Sequence, residues 1–413
     1  MIADKIALIN KYGFYKSNTL ESYLKSRYAS IQKKKTFNVV YDLLHQCDIC
    51  CLGCGTNASW TNDTSVRCTE MSLNQIERVL IKIKDYSTRI GLTPFFNYGG
   101  GEPFLREDII SILKLSAEIL GADNIGIDTN ASLGNSYEMI HDIVPYVSYI
   151  GISINGLEDY HNWWSNNRNI NAYANATSVL KKLCVDQSIA SKIEVTSVAT
   201  KKNCDSIPEL MVVLKKLGVV NYSVHRAIPV GRMQTIGESL IPDADEYLGL
   251  LIDVISAAER LSLNAHFHHS IEAIYASLLF GINTYDAEKV INANYRSSIS
   301  IDPLGEVLID PWCTVGIWRK LSLGNVFDYD FTFEKAFNNK TDILNKVRMS
   351  VEKENRCYGC KRHCSGGSRI VAAVNKINEV GVAIGDVNQL FDALKAIDPA
   401  CPLAYSDDRS DEV

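Results

Sequence analysis

Four cysteines stand within eight consecutive residues of the stretch HQCDICCLGCGTNA (45–58), at Cys47, Cys50, Cys51 and Cys54. Thiols at that density pair as disulfides, close around zinc, or hold an iron-sulfur cluster. Cys47, Cys51 and Cys54 form C-x3-C-x2-C. Three thiolates leave one iron of a 4Fe-4S cube without a protein ligand, and that open corner separates a reactive cluster from a plain electron carrier. Structural zinc wants a closed set of four, usually from C-x2-C pairs or His, so His45 would have to complete it. Cys50 is the spare, a structural residue or a fallback ligand. A second group lies far downstream: Cys313, then Cys357, Cys360 and Cys364 in "CYGCKRHCSGGSR", then Cys401 in "DPACPL". Its C-x2-C-x3-C spacing suits zinc as well as iron-sulfur.

These residues need elements to position them, and from residue 37 the chain reads strand, loop, helix, repeatedly. Strands are expected at 37–44, 95–98, 124–128, 149–154, 192–200 and 219–224, from their β-branched and apolar runs. Helices are expected to begin at Ser72 with a Ser72/Gln75 capping box, then over 107–120 closed by Gly121, near 137–144, over 172–184, over 207–217 ended by Gly218, and over 244–261. Six strand-helix units in a row imply an α/β fold with a parallel sheet, curved or closed like a barrel. Chemistry in such sheets gathers at the C-terminal ends of the strands. Each unusual motif does fall just after a strand: the cysteines after the first, Gly99-Gly100-Gly101-Glu102-Pro103 after the second, Thr129-Asn130 after the third, Ser153 and Asn155 at the fourth. All converge on one mouth.

The bulk properties narrow the classes. The 413 residues are 46% hydrophobic and suggest two or three domains with ample core. The net charge of -6 offers no basic field for a phosphate backbone, which argues against nucleic acid. There is no signal-peptide h-region and no uncharged apolar run able to span a bilayer, so the reading is a cytoplasmic chain with no membrane partner. In a reducing compartment clustered cysteines serve as ligands or catalysts rather than disulfides.

C-x3-C-x2-C after the first strand, GGEP (100–103) after the second and SING (153–156) after the fourth together resemble the radical S-adenosylmethionine (SAM) superfamily. The resemblance implies a partial (β/α)6 TIM-like barrel, a 4Fe-4S cluster on Cys47, Cys51 and Cys54, and SAM on the open iron. By the same resemblance Glu102 accepts a hydrogen bond from the SAM ammonium, while Gly100 and Gly101 permit close backbone approach. Ser153 meets a ribose hydroxyl, and Asn130 contacts SAM or positions its loop. Asn155 stands where Asp is commoner, Ala131 where Gly is commoner, and Gly53 where an aromatic residue often precedes the last cysteine. These departures bear on nucleoside binding. Arg226 and Arg232, at the rim after the sixth strand, are able to clamp a carboxylate, and Arg226 is counted with the cofactor-binding residues.

Residues 301–413 read as a hairpin around Gly305, turns and cysteines, and resemble the SPASM extension of many radical SAM enzymes. The division expected is an N-terminal helical extension (1–36), a radical SAM core (37–262), a bridging segment (263–300) and a SPASM-like domain (301–413). Tyr329 and Ser368 occupy two positions where that pattern has cysteine, which implies one auxiliary 4Fe-4S cluster on Cys357, Cys360, Cys364 and Cys401, with Cys313 a remnant or a swap ligand; a second auxiliary cluster would need ligands now missing. His266, His268 and His269 have metal-like density, but strand alternation points neighbours to opposite faces. Trp163 and Trp164 line the mouth or simply pack, and Cys68, Cys184 and Cys204 read as small apolar residues.

The resemblance implies reductive cleavage of SAM to a 5'-deoxyadenosyl radical that takes hydrogen from a C–H bond. An oxidative maturation of a ribosomally made peptide follows first, by crosslink, thioether or dehydrogenation, with electrons from a flavodoxin- or ferredoxin-type donor. Side-chain oxidation of a small molecule, a sugar-derived alcohol or a tetrapyrrole, is the alternative. A non-catalytic iron-sulfur or zinc scaffold is a third reading.

Overall fold

The computed structural model describes residues 14–31, 36–58, 70–167, 169–236, 240–267, 271–282, 298–339, 369–380, 387–396 and 398–401. Strands β1 (Thr36–Leu44), β2 (Thr93–Gly100), β3 (Ile125–Thr129), β4 (Tyr149–Ser153), β5 (Ile193–Ala199), β6 (Asn221–Arg226) and β7 (Asn264–Phe267) lie side by side in chain order, all parallel. On the other side of β1 the sheet continues with β8 (Ser298–Ile301), parallel to it, and then with the antiparallel β9 (Glu306–Leu308) and β10 (Ser322–Asn325). Gly305 turns the β8–β9 hairpin at φ +87°. The α/β architecture with a parallel sheet is the one expected from the sequence.

Helices fill the crossovers: α1 (Phe14–Ile31), α2 (Leu73–Arg89), α3 (Ile109–Leu120), α4 (Ser136–Ile143), α5 (Glu158–Ser165), α6 (Ala172–Leu183), α7 (Ile207–Lys216), α8 (Ala244–Leu261) and α9 (Ile271–Phe280). Local chemistry explains their ends. Ser72 caps α2 with Gln75 completing the box, Asp243 and Glu246 do the same for α8, and Gly121 follows α3 at φ +88°. On α2, Ile76, Val79, Leu80 and Ile83 are buried on one face, the spacing of an amphipathic helix. α5 has no counterpart among the helices expected from the sequence; Glu158 and Asp159 in its first turn complement the helix dipole. The sixth strand runs two residues later than expected, because Val219 still closes the turn of α7 through Leu214 O.

α1 is docked by Leu20, Leu24 and Tyr28, all buried, and by polar contacts to α9: Tyr23 and Arg27 both hold Glu272, whose carboxylate also accepts the Phe267 N–H at 2.8 Å. Among the described residues no helix is long and apolar enough to cross a membrane.

The two faces of the sheet differ sharply. One face carries Phe37, Val39 and Tyr41 of β1, Phe96 and Tyr98 of β2, Ile125 and Ile127 of β3, and Ile150 and Ile152 of β4, all at 0–1% exposure beneath the helices. The alternate residues, on the inner face, are mostly polar or glycine: Asn38, Asp42, Asn97, Asp128, Gly151, Glu194 and Thr196 among them. Parallel strands buried under helices on both faces read as continuous apolar runs; this alternation marks an inner face left for something other than packing.

Candidate active site

The pairing of β1 with β2 slips by one residue between Asp42 and Leu44 and then continues past both strands. Gly101 N–H donates to Leu44 O at 2.7 Å, and Glu102 N–H to Gln46 O at 2.9 Å. The seam therefore ends where Cys47 begins. Gly100 sits at φ +105°, and a Cβ there would stand 2.6 Å from Leu44 O; a side chain at Gly101 would overlap the Gln46 carbonyl. Close approach is what these glycines permit, and the backbone that approaches them from this side is the cysteine loop's own.

Two buried carboxylates tie the neighbouring loops to that seam. Glu102, 1% exposed, accepts from Thr129 Oγ1 (2.7 Å), Phe104 N–H (3.2 Å) and Asn130 N–H (2.8 Å). Burial pushes its pKa up to about 7 in spite of these donors. Asp48, 4% exposed, accepts from Asn130 Nδ2 at 2.8 Å and from Ser132 Oγ. Asn130 Nδ2 also lies 3.7 Å from Cys47 Sγ. The loop after β3 thus crosses from Glu102 to Asp48 and brings Asn130 against the first cysteine. Ala131 makes the turn at φ +50°, a left-handed conformation that explains why glycine suits this position better. The sequence reading missed Asp48, an unspecified position inside the cysteine motif, and Ser132, which belongs to no motif; only the fold joins them.

The rest of the cysteine loop is clasped by later segments. Cys50 N–H donates to Ser165 O (3.1 Å) and Leu52 N–H to Trp164 O (2.9 Å), at the C-terminal end of α5. Arg232 donates through its backbone to Cys54 O (3.0 Å) and through Nε to Cys51 O (2.8 Å). A side chain at Gly53 would overlap the Trp164 ring, and a Cβ at Gly55 would lie 2.6 Å from Trp312 Cζ3. The aromatic residue missing from position 53 is excluded because Trp164 already fills that space. Trp164 is 2% exposed, whereas Trp163 is 37% exposed with Lys202 Nζ 3.7 Å from its ring centre.

Cys47 is buried and Cys51 and Cys54 are half-buried. Burial pushes the Cys47 and Cys51 thiols upward; the neighbouring Glu102 adds to the effect at Cys47, and Cys54 at Cys51. Three adjoining thiols in a dry loop ionise readily only around positive metal, which is the donor chemistry of a three-cysteine cluster. Among the described residues no group of three or more His, Cys, Asp and Glu side chains is arranged to hold a single metal ion.

Ser153, half-buried at the end of β4, makes no side-chain hydrogen bond among the described residues. Asn155 is 6% exposed and knits β4 to β5: its Oδ1 accepts Val198 N–H (2.8 Å) and its backbone N–H donates to His161 Nδ1 (3.0 Å), so only its NH2 group is left for a ligand. Burial holds His161 near pKa 4, as a neutral acceptor. Arg226 requires a correction. It does clamp a carboxylate, through Nη1 and Nη2 at 2.9 Å each, but the carboxylate is that of the chain's own Asp398, and both side chains are 0% exposed. It joins β6 to the C-terminal segment and does not face a ligand. Cys401 is half-buried beside that anchor, with its N–H on Asp398 O at 2.9 Å. Cys313 is fully buried next to Trp312, and Tyr329 is fully exposed. Cys357, Cys360, Cys364, Ser368, Cys68, His268 and His269 lie outside the described residues.

Residues 41–190 match the family model for the radical SAM superfamily. The chain carries a radical SAM domain. That radical SAM domain contains the cysteine loop, Glu102, Asn130 and Ser153, and ends before Arg226 and the later cysteines. Over 333 residues the chain is 22% identical to the mycofactocin maturase MftC of Mycobacterium tuberculosis, covering 80% of this chain and 77% of the relative. Among solved structures, Streptococcus suis SuiB bound to SAM superposes with a TM-score of 0.64 at 17% identity, over 89% of this chain and 77% of SuiB. SuiB bound to its precursor peptide SuiA gives 0.64 at 16% identity over 89% and 76%. anSMEcpe with bound AdoMet gives 0.57 at 14% identity over 82% and 90%. The structural likenesses show the fold, and the family-model match gives residues 41–190 as a radical SAM domain, a family that implies a 4Fe-4S cluster and SAM.

Proposed function

We propose that this protein is an oxidative peptide maturase. The observation that carries the reading is the seam in which Glu102 and Asp48 bind the loop of Asn130 to the loop of Cys47, at strand ends that open on a polar inner face. Cys47, Cys51 and Cys54 would hold the cluster, and Ser153, Asn130, the Asn155 NH2 group and the remaining lone pair of Glu102 are the groups near it able to meet SAM. When bound, cluster and SAM supply a 5'-deoxyadenosyl radical that takes a hydrogen atom from an unreactive C–H bond. The chain's own part is alignment and dryness: Trp164 and Trp312 cover Gly53 and Gly55 on either side of Cys54, and the clasped loop would hold the three thiols in place for the cluster.

The peptide half of the reading is supported by a maturase relative and by a similar structure bound to a precursor peptide. Cys357, Cys360 and Cys364 with Cys401 or Cys313 are the proposed ligands of an auxiliary cluster in a SPASM-like region. Such a cluster would take up the electron left on an oxidised substrate, and a flavodoxin- or ferredoxin-type protein would supply the first one. The test is anaerobic reconstitution followed by reduction in the presence of SAM. Wild-type protein is expected to release 5'-deoxyadenosine and to carry about eight irons per chain, while Cys51→Ala loses the nucleoside product and about half the iron. A wild-type protein that binds zinc at these cysteines and releases none refutes the reading.

A further inference from the structure

The inner face of the sheet carries an unbalanced charge. Arg226 is the sole Lys or Arg on β1 to β8, and its guanidinium is spent on Asp398. The three acids of those strands, Asp42, Asp128 and Glu194, all belong to the inner face and stand nearly level. Asp42 pairs with Gly99, Tyr98 with Ile127, Asp128 with Gly151, and Gly151 with Glu194, so the register gives a row of carboxylates with glycines between them.

The members of the row are not equally satisfied. Asp128 accepts from Asn97 Nδ2 at 2.6 Å, and Glu194 from Tyr149 OH at 3.3 Å, with His266 Nε2 at 3.6 Å from its other oxygen. Asp42 is 4% exposed, and its side chain has neither a hydrogen bond nor an ion pair among the described residues. Its nearest acid toward β8, Asp302, is already matched by Arg319 at 2.7 Å. The row also borders open space at one point. Side chains at Gly126 and Gly151 would run into Asn97, Tyr149 or Asp128, but at Gly99, between Asp42 and Asp128, a Cβ would meet nothing within 4 Å. An independent feature shows unmet polarity on the same face: Ser223, which pairs with Thr196 and His266, is 0% exposed with its Oγ unpartnered. Burial and the neighbouring acids push Asp42 up to about 7, and burial pushes Asp128 up to about 6. Leaving such groups unpaired costs free energy that a buried cation would offset.

We propose that the space over Gly99, between Asp42 and Asp128, is a substrate subsite that receives the ammonium or guanidinium of a lysine or arginine side chain of the peptide. This rests on the peptide reading above and narrows it. Gly99 directly precedes Gly100 to Glu102, and Asp128 directly precedes Thr129 and Asn130, so a cation held there brings its residue beside the cysteine loop. Carboxylates fix the charge, and the absent side chain at position 99 admits the stem.

The experiment measures binding of four uncharged-backbone probes to anaerobically reconstituted protein with SAM: acetyl-lysine amide, acetyl-arginine amide, acetyl-norleucine amide and acetyl-glutamine amide. The wild type is expected to bind the two cationic probes at least tenfold more tightly than the neutral ones. Asp42→Asn and Asp128→Asn should each reduce that preference several-fold and together abolish it, with iron content kept as the check on folding. Gly99→Val leaves both charges in place and fills the space, so it should weaken the cationic probes at least fivefold on its own. No preference in the wild type overturns the proposal, as does a preference that survives in both the double variant and Gly99→Val. Release of 5'-deoxyadenosine by the same preparations reports separately on the radical reading, so its failure and that of the subsite are told apart.

Discussion

The buried pair Arg226–Asp398 permits a sharp test, because both side chains are fully buried and two parallel bonds of 2.9 Å join them. Burying two ions is costly, and their attraction offsets that cost only while both are present. Asp398→Ala leaves the guanidinium facing the Tyr247 ring, whose centre is 5.5 Å away. An uncompensated buried charge of this type costs about 3–5 kcal/mol. Asp398 also accepts the Ala400 N–H at 2.9 Å, so its removal frees the segment carrying Cys401. Arg226→Met should cost a similar amount, since it strands the carboxylate instead. The double variant Arg226→Met with Asp398→Leu removes both ions and is expected to be more stable than either single one, with a coupling of about 2 kcal/mol or more in the cycle. Urea unfolding of the metal-free chain measures all four corners. Single variants within about 1 kcal/mol of wild type, or two losses that merely add, would refute the assignment of Arg226 to the fold; a normal stability with lost activity would return it to the cofactor-binding residues.

Three further outcomes are expected. Gly101→Ala forces a methyl group onto the Gln46 carbonyl and should abolish iron loading, whereas Gly134→Ala, with nothing within 4 Å, leaves it intact; iron analysis decides. Trp164→Ala should destabilise the protein by about 3–5 kcal/mol and Trp163→Ala by about 1 kcal/mol or less, because only the first ring is buried against the cysteine loop; paired denaturation curves check this. The folded pKa values of Asp42 and Asp128, about 7 and about 6, lie above their unfolded values, so the native state binds extra protons in between. Their stabilising contribution is complete below the unfolded pKa near 4 and is lost as pH rises through 6 to 7, so the urea midpoint of metal-free protein should fall from pH 5 to pH 8, less steeply in Asp42→Asn.

Much of the barrel was legible because it is written locally. The Ser72/Gln75 box, the glycines after α3 and α7, and the apolar runs of β1 to β5 are decided by neighbours within one turn or one strand. The clustering of the Cys47, Glu102, Asn130 and Ser153 motifs at one edge followed from the topology of parallel units. What was not legible depends on partners distant in sequence. Nothing near Arg226 announces Asp398, and nothing near Gly53 announces Trp164. Asp48 sits inside the cysteine motif yet finds its partners on the loop after β3. The glycines of GGEP were legible as points of close backbone approach, but that the cysteine loop itself makes that approach is decided only by the fold. The inner-face acids escaped notice for a simpler reason. Each sits in an ordinary alternating strand, and only register places them in one row.

The tryptophans over Gly53 and Gly55 also constrain biogenesis. Residues that shield Cys54 emerge from the ribosome long after Cys54 itself, one of them near the far end of the sheet. During synthesis the thiols therefore spend an interval bare to oxidants and stray ions. Iron delivered to the completed chain would meet a covered loop and iron delivered to the nascent one would not, and slowing translation downstream of β6 should lower the metallated fraction without changing a single ligand.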